Sequence, residues 1–234
     1  MESEHLTFTD FISYISRNKE MLWEYFIQHI TMVVIGLGLA VIIGVPLGIL
    51  CSKNKWAAKV ILFITNILQV VPSLAMLVVL MLWMGLGTKT VMVGLFLYSL
   101  NPITRNTYVG LKQVDPSYLE SGKGIGMSPL QLLMKVRFPL ALTYIMSGLR
   151  IAAVIAIGVV TIAPLVGGGG LGREIYAGLN SNNSLRIFAG AIPAAVLAVL
   201  ADLVLGMLQR KMDLAKRKSV GAAPLPAKTQ NMNI

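Results

Sequence analysis

Cysteine occurs once in this chain, at Cys51, and histidine only twice, at His5 and His29. A single thiol excludes a disulfide framework within the chain. Two separated histidines without clustered carboxylates offer no metal-ligand pattern. Charge is scarce as well: 13% of the residues are Asp, Glu, Lys or Arg, where soluble domains carry about 25%. Acidic residues number ten against twenty basic ones, for a net charge of +10. No stretch reads G-x-x-x-x-G-K-[ST], the loop that cradles nucleotide phosphates, so no ATP-hydrolysing motif is expected on this chain. The first 25 residues are mixed and charged, without a basic start and an apolar core, which argues against a cleavable signal peptide.

What is abundant is apolar surface. Of 234 residues, 56% are hydrophobic, and the mean hydropathy is +0.74. The chain reads as an all-α membrane protein of one transmembrane domain. A span needs about 20 apolar residues, and five stretches qualify: Phe26–Leu50, Ala57–Met84, Thr90–Leu111, Phe138–Val166 and Leu185–Leu208. Residues 26–208 therefore form the membrane domain. Residues 1–25 precede it, with Phe8, Phe11, Ile12 and Ile15 at helical spacing among polar residues, as in an amphipathic helix on a membrane surface. Residues 209–234 follow as a basic tail, expected to lose order after Ser219.

The positive charge is read through its placement. In a soluble chain it would suggest nucleic acid; here cytoplasmic loops rich in Lys and Arg explain it without one. With the amino terminus outside, fourteen of the twenty basic residues fall inside: Lys53, Lys55, Lys59, Arg105, Lys112, Lys123, Lys135, Arg137, Arg210, Lys211, Lys216, Arg217, Lys218 and Lys228. Five fall outside (Arg17, Lys19, Lys89, Arg173 and Arg186), and Arg150 lies within a span. Inverting the chain reverses this ratio. The segment between the third and fourth spans is thereby placed in the cytoplasm, and the carboxyl terminus with it.

That segment carries strong local signals. Asp115 can cap a short helix with Pro116 at its first position, where a missing N–H costs nothing. Gly122, Gly124 and Gly126 weaken the helix and permit a sharp turn. Ser128-Pro129-Leu130-Gln131 starts a second helix, with Gln131 placed to complete a capping box. Glu120, the small pair Ser121 and Gly122, Gly126, then Val136, Phe138 and Pro139 resemble the EAA loop of binding-protein-dependent ABC importer permeases. Serine and glycine stand where that family has alanines, and Phe138 where it has leucine. The resemblance continues through Gly148-Leu149-Arg150 and the run Gly167–Gly172, spans about residues 26 to 208, and is nearest the osmoprotectant permeases for glycine betaine, carnitine and choline.

The resemblance implies a multi-pass subunit of the bacterial cytoplasmic membrane that is not itself an enzyme. It implies a cytoplasmic ABC ATPase dimer that grips the loop and holds ATP and magnesium, so no cofactor is expected on this chain. A second permease subunit, identical or homologous, and a separate extracytoplasmic substrate-binding protein complete the assembly, with membrane lipid around it. A permease for methionine or another amino acid competes within this class, because the loop reports the ATPase and not the cargo. From another class, an ATP-independent secondary transporter or channel would need intramembrane carboxylates as ion or proton relays, and Asp202 alone is available.

Other polar residues fall within the spans. Arg150 and Asp202 lie about 18 and 12 Å from the cytoplasmic ends at roughly 1.5 Å per residue. Charges at that depth are usually paired or face a polar cavity, so they are expected to pair, with a substrate carboxylate as the competing partner of Arg150. Asn66, Gln69, Tyr98 and Asn101 either line a conduit or hydrogen-bond between helices. The run Gly167, Gly168, Gly169 and Gly170 is either a plain connector or a flexible or tightly turning outer gate. Trp83 reads as an interfacial anchor or as a cation–π platform. Gly44 and Gly48 form a small-xxx-small pattern that lets another helix approach.

Overall fold

A computed structural model describes residues 8–221, with side chains described from 9 to 213. Every regular element among the described residues is helical. In chain order they are α1 (Phe8–Arg17), α2 (Lys19–Lys53), α3 (Lys55–Val70), α4 (Ser73–Met84), α5 (Thr88–Lys112), α6 (Pro116–Gly124), α7 (Pro129–Leu132), α8 (Phe138–Val160), α9 (Gly172–Asn180) and α10 (Ser184–Gly221). A π-helical turn (Leu133–Arg137) joins α7 to α8, and a 3-10 turn (Ala163–Val166) follows α8.

Three helical stretches are long and apolar enough to cross a membrane: Lys19–Lys53, Pro129–Val160 and Ser184–Asp213. The expected single span Ala57–Met84 is not one helix. It breaks at Val71–Pro72, where α3 and α4 meet at 99°. Proline has no N–H to continue the ladder and drives the preceding residue out of the helical region, and Val71 is extended at φ −59°, ψ 130°. The third expected span is helical, as α5, and its 25 residues reach about 37 Å, but it is not among the stretches apolar enough to cross a membrane by composition. Its composition is more polar because it faces protein: Thr90, Ser99, Asn101, Thr104 and Thr107 are all buried. Helices α2, α3, α4 and α8 surround it.

Helix boundaries shift elsewhere. α2 starts at Lys19, seven residues before the expected first span. Helix does not begin afresh at Phe138, the expected start of the fourth span. Helix runs without a break from Pro129, and the π-turn just before Phe138 absorbs the bond that Pro139 cannot donate. That span ends at Val160 instead of Val166, with the 3-10 turn beyond it. At the carboxyl end α10 continues through the basic residues to Gly221; the tail beyond it lies outside the described residues, as do residues 1–7. The amphipathic α1 packs on α10 and α2.

The core lies along α5 in three layers. At one end Met32, Val33, Leu77, Val91, Leu95, Ile157 and Val160 come together. In the middle Ala40 and Ala152 close on Ile103. At the other end Leu111, Leu133, Ala141 and Ile145 pack beside Val45 and Ile49. The small-xxx-small reading of α2 is met: a Cβ on Gly48 would lie 2.5 Å from Thr107 Cβ and 2.8 Å from Thr104 O. On the opposite side of α5, a Cβ on Gly148 of α8 would lie 2.5 Å from Pro102 O. Backbone contact on both flanks fixes α5 as the axis of the bundle.

Candidate functional site

The segment between α5 and α8 folds from its capping signals. Asp115 Oδ1 accepts the Ser117 N–H at 2.8 Å, opening α6 with Pro116 at its first position. Gly126 takes φ +78°, which an L side chain rarely adopts, and this reverses the chain after α6. The capping box forms in both directions: Ser128 N–H donates to Gln131 Oε1 at 2.8 Å, and Gln131 N–H donates to Ser128 Oγ at 3.3 Å. Gly122 does not turn the chain. It lies inside α6, and a Cβ there would approach Leu132 Cδ1 to 2.6 Å, so the two short helices pack face to face at this point.

The outer face of this hairpin is unusual for a loop. Glu120, Ser121 and Gly126 are exposed, Val136 and Phe138 are half-buried, and Pro139 is exposed. Elsewhere on the hairpin Ile125 is 75% exposed, Leu130 66% and Met134 54%. Large apolar side chains displayed on a charged hairpin fit a protein interface better than open solvent.

Arg137 was not singled out by its sequence, and it ties the hairpin to the bundle. Its Nη2 donates to Leu111 O at 2.9 Å, in the last turn of α5, where helix carbonyls lack partners and a cation is favoured. Its only advance signal is its place one residue before the first apolar residue of the fourth span. The base of the hairpin is thus bonded directly to the axial helix.

Arg150 and Asp202 do pair. Arg150 Nη2 donates to Asp202 Oδ2 at 2.6 Å, and Arg150 Nε donates to Asp202 Oδ1, giving a two-point contact between α8 and α10. Among the other intramembrane polar residues, Gln69, Tyr98 and Asn101 come together while Asn66 stays exposed. Asn101 Nδ2 donates to Gln69 Oε1, and Thr65 Oγ1 donates to Asn101 Oδ1 at 3.4 Å. Tyr98 Oη donates to Val71 O. The bent junction of α3 and α4 therefore finds its hydrogen-bond partner in α5, as backbone at membrane depth requires. Tyr98→Phe should lower stability by about 1–3 kcal/mol through the stranded Val71 carbonyl, seen as a lower thermal unfolding midpoint in detergent; an unchanged midpoint would refute this role.

The glycine run is a close-packed turn. Gly167 and Gly170 have φ +74° and +91°, and Gly168, Gly169 and Gly170 are buried. Gly170 N–H donates to Gln28 Oε1 at 3.2 Å, which anchors the turn to α2. Trp83 is largely exposed near the end of α4.

A second cluster also escaped the sequence. Glu174 of α9, 1% exposed, accepts from Arg186 Nη2 at 2.9 Å, from Arg186 Nε at 3.1 Å and from Tyr14 Oη at 2.7 Å. Burial pushes the Glu174 carboxyl up, but the hydrogen bonds from Arg186 and Tyr14 and the Arg186 charge outweigh it and hold the group below its ordinary value. Burial and the hydrogen bond to Glu174 raise the Tyr14 phenol to about 12. The three residues are separated by up to 172 positions, so no local pattern announces them.

Helices long and apolar enough to cross a membrane, packed around an axial α5 with a capped and exposed hairpin at one end, define a multi-pass membrane protein. The chain belongs to the binding-protein-dependent transport system inner membrane component family, which matches residues 44–214. It is therefore a multi-pass protein of the cytoplasmic membrane. Over 207 residues it is 49% identical to the glycine betaine/carnitine/choline transport system permease protein OpuCD of Bacillus subtilis (strain 168), covering 88% of this chain and 90% of that one. The permease protein OpuCB of the same organism's glycine betaine/carnitine/choline transport system is 41% identical over 185 residues, 79% of this chain and 85% of that one. Among solved structures, an inward-facing MetNI methionine ABC transporter superposes with a TM-score of 0.75, covering 84% of this chain and 98% of that one at 20% identity. That likeness establishes the fold.

Proposed function

We propose that this chain is the membrane-spanning subunit of an ABC importer that carries quaternary-amine osmolytes, namely glycine betaine, carnitine and choline, into the cell. The hairpin of α6 and α7 carries the reading: it displays Glu120 and, on the same element, large exposed apolar side chains, and is bonded through Arg137 to the axial helix. Glu120, Ser121, Gly122, Gly126, Val136, Phe138 and Pro139 form the coupling loop for a cytoplasmic ATPase dimer, which holds ATP and magnesium. The placement of basic residues puts this end in the cytoplasm and the amino terminus outside, with five passages counting α5 and the bent pair. The substrate class follows the two Bacillus subtilis relatives, 49% and 41% identical. The methionine transporter, at 20% identity, gives no support for a methionine cargo.

The cycle follows from this arrangement. A separate binding protein delivers substrate to the outer end, where the tight Gly167–Gly170 turn serves as the gate. Closure of the ATPase dimer on ATP moves the hairpin, and Arg137 passes the movement to α5. A second permease subunit supplies the other wall of the pathway. A homologous partner is favoured, since the Bacillus subtilis system has two permease proteins that both resemble this chain. Membrane lipid surrounds the pair, and no nucleic acid takes part.

Copurification from membranes in mild detergent tests the reading. The wild-type chain should bring down an ATPase, and Glu120→Lys should lose it, with osmolyte uptake falling by about tenfold or more as a charge in the interface is reversed. A wild-type chain that brings down no ATPase would sink the proposal. An ATPase retained by both chains would remove Glu120 from the contact.

A further inference from the structure

The Arg150–Asp202 pair does more than join two helices. The two side chains are not enclosed between α8 and α10 but remain 39% and 36% exposed. Lipid is a poor neighbour for charges displayed in this way, so the face is suited to something polar. Beside the pair lies a wide, open pocket of about 380 Å³, which Ser147, Ile151 and Val154 line together with both charged residues. That size falls within the range of small-molecule sites. Gly206, one turn beyond Asp202 on α10, leaves the guanidinium its place: a Cβ there would lie 3.3 Å from both Arg150 Cζ and Nη1.

We propose that Arg150, Asp202 and this pocket form an intramembrane station for a zwitterion that carries a carboxylate and a quaternary ammonium. The proposal rests on the osmolyte-importer reading and specifies which of its substrates the chain itself recognises. The substrate carboxylate takes the fork of Arg150, which suits two-point contact with a carboxylate. Asp202, released from that fork, faces the ammonium. One ion pair becomes two, and the net charge of the site stays zero before and after. A bare cation such as choline has nothing to offer Arg150 and adds a positive charge beside it, so the station ranks zwitterions above choline. Ser147 supplies a further polar contact, and the apolar wall of Ile151 and Val154 suits the ammonium methyl groups.

The test uses the importer with its ATPase and partner permease, in detergent for binding and in liposomes with the binding protein for uptake. Without the binding protein, radiolabelled glycine betaine should bind the wild-type complex saturably in either the nucleotide-free or the ATP-trapped state. Arg150→Gln should weaken that binding by about tenfold or more, the loss expected when a charge-assisted contact is removed. Uptake by the same variant should fall about tenfold further for glycine betaine than for choline. Arg150→Lys keeps the charge opposite Asp202 but loses the two-point fork, so it carries the test if Arg150→Gln fails to assemble; it should weaken glycine betaine binding measurably. No saturable binding by the wild type, or unchanged binding in Arg150→Lys, would overturn the station. So would an equal loss of both substrates in Arg150→Gln. If the wild-type importer moves none of the osmolytes, the osmolyte reading fails; if it moves them and the variants do not discriminate, only the station fails.

Discussion

Gly148→Leu is expected to abolish accumulation of the folded protein in membranes, whereas Gly158→Leu on the same helix is tolerated. The two glycines have the same helical backbone and opposite surroundings. A Cβ at 148 would lie 2.5 Å from Pro102 O and 2.8 Å from Asn106 Cβ, while a Cβ at 158 would meet nothing within 4 Å. The first contact is with backbone, which cannot rotate away as a side chain would. Helix α8 must then move off α5, and the loss runs along the seam that also holds Ala141 and Ala152, both fully buried. Overpacking of a core costs about 1–3 kcal/mol where side chains can yield, and more is expected against a fixed carbonyl. Fluorescence-detected gel filtration of the two variants checks it: a sharp peak from Gly148→Leu would show that the helices separate without penalty.

The second large effect is expected at the Glu174 cluster. Arg186→Leu removes the cation and leaves a carboxylate 1% exposed with Tyr14 as its remaining hydrogen-bond donor. Breaking a buried pair in this way costs about 3–5 kcal/mol, enough to detach α9 and α1 from the start of α10. The double change Glu174→Leu with Arg186→Leu should recover most of that loss, because it removes the stranded charge with its partner. If the double variant is no more stable than the single one, the charge is not the cause. The same group gives a pH dependence. The folded carboxyl lies below its ordinary value, so it contributes stability that is fully present above the unfolded carboxylate pKa and lost as pH falls through the folded one. Wild type should therefore lose stability on acidification below the ordinary carboxylate range. The double variant should lose less, as thermal unfolding across that range would show.

The two predictions concern residues of opposite visibility in the chain. Gly148 stands in a segment already singled out for its resemblance to permeases, although its contact with Pro102 needs the folded bundle. Tyr14, Glu174 and Arg186 carry no motif, and their meeting follows from the return of α9 against the amino-terminal helix. The hairpin shows the contrast within one element. Asp115, Pro116, Ser128 and Gln131 act over two or three positions, and their caps form as expected. Arg137 acts over 26 positions, on a carbonyl of another helix, and no local pattern could have named its partner.

The all-helical membrane class, the capped hairpin between the third and fourth apolar segments, and the family are legible in the order of residues alone. Each of these depends on hydropathy over about 20 residues, on caps within one turn, or on motif spacing. Tertiary structure decided that the second apolar segment is two helices at 99°, since composition is blind to what satisfies Val71 O and Tyr98 answers from another helix. It also decided that polar α5 is the buried axis, and that the Arg150–Asp202 pair meets a pocket instead of being enclosed. Local energetics set what each segment forms. Which segments face one another is set by close packing of small residues across distant parts of the chain, and that can be read only after the helices have met.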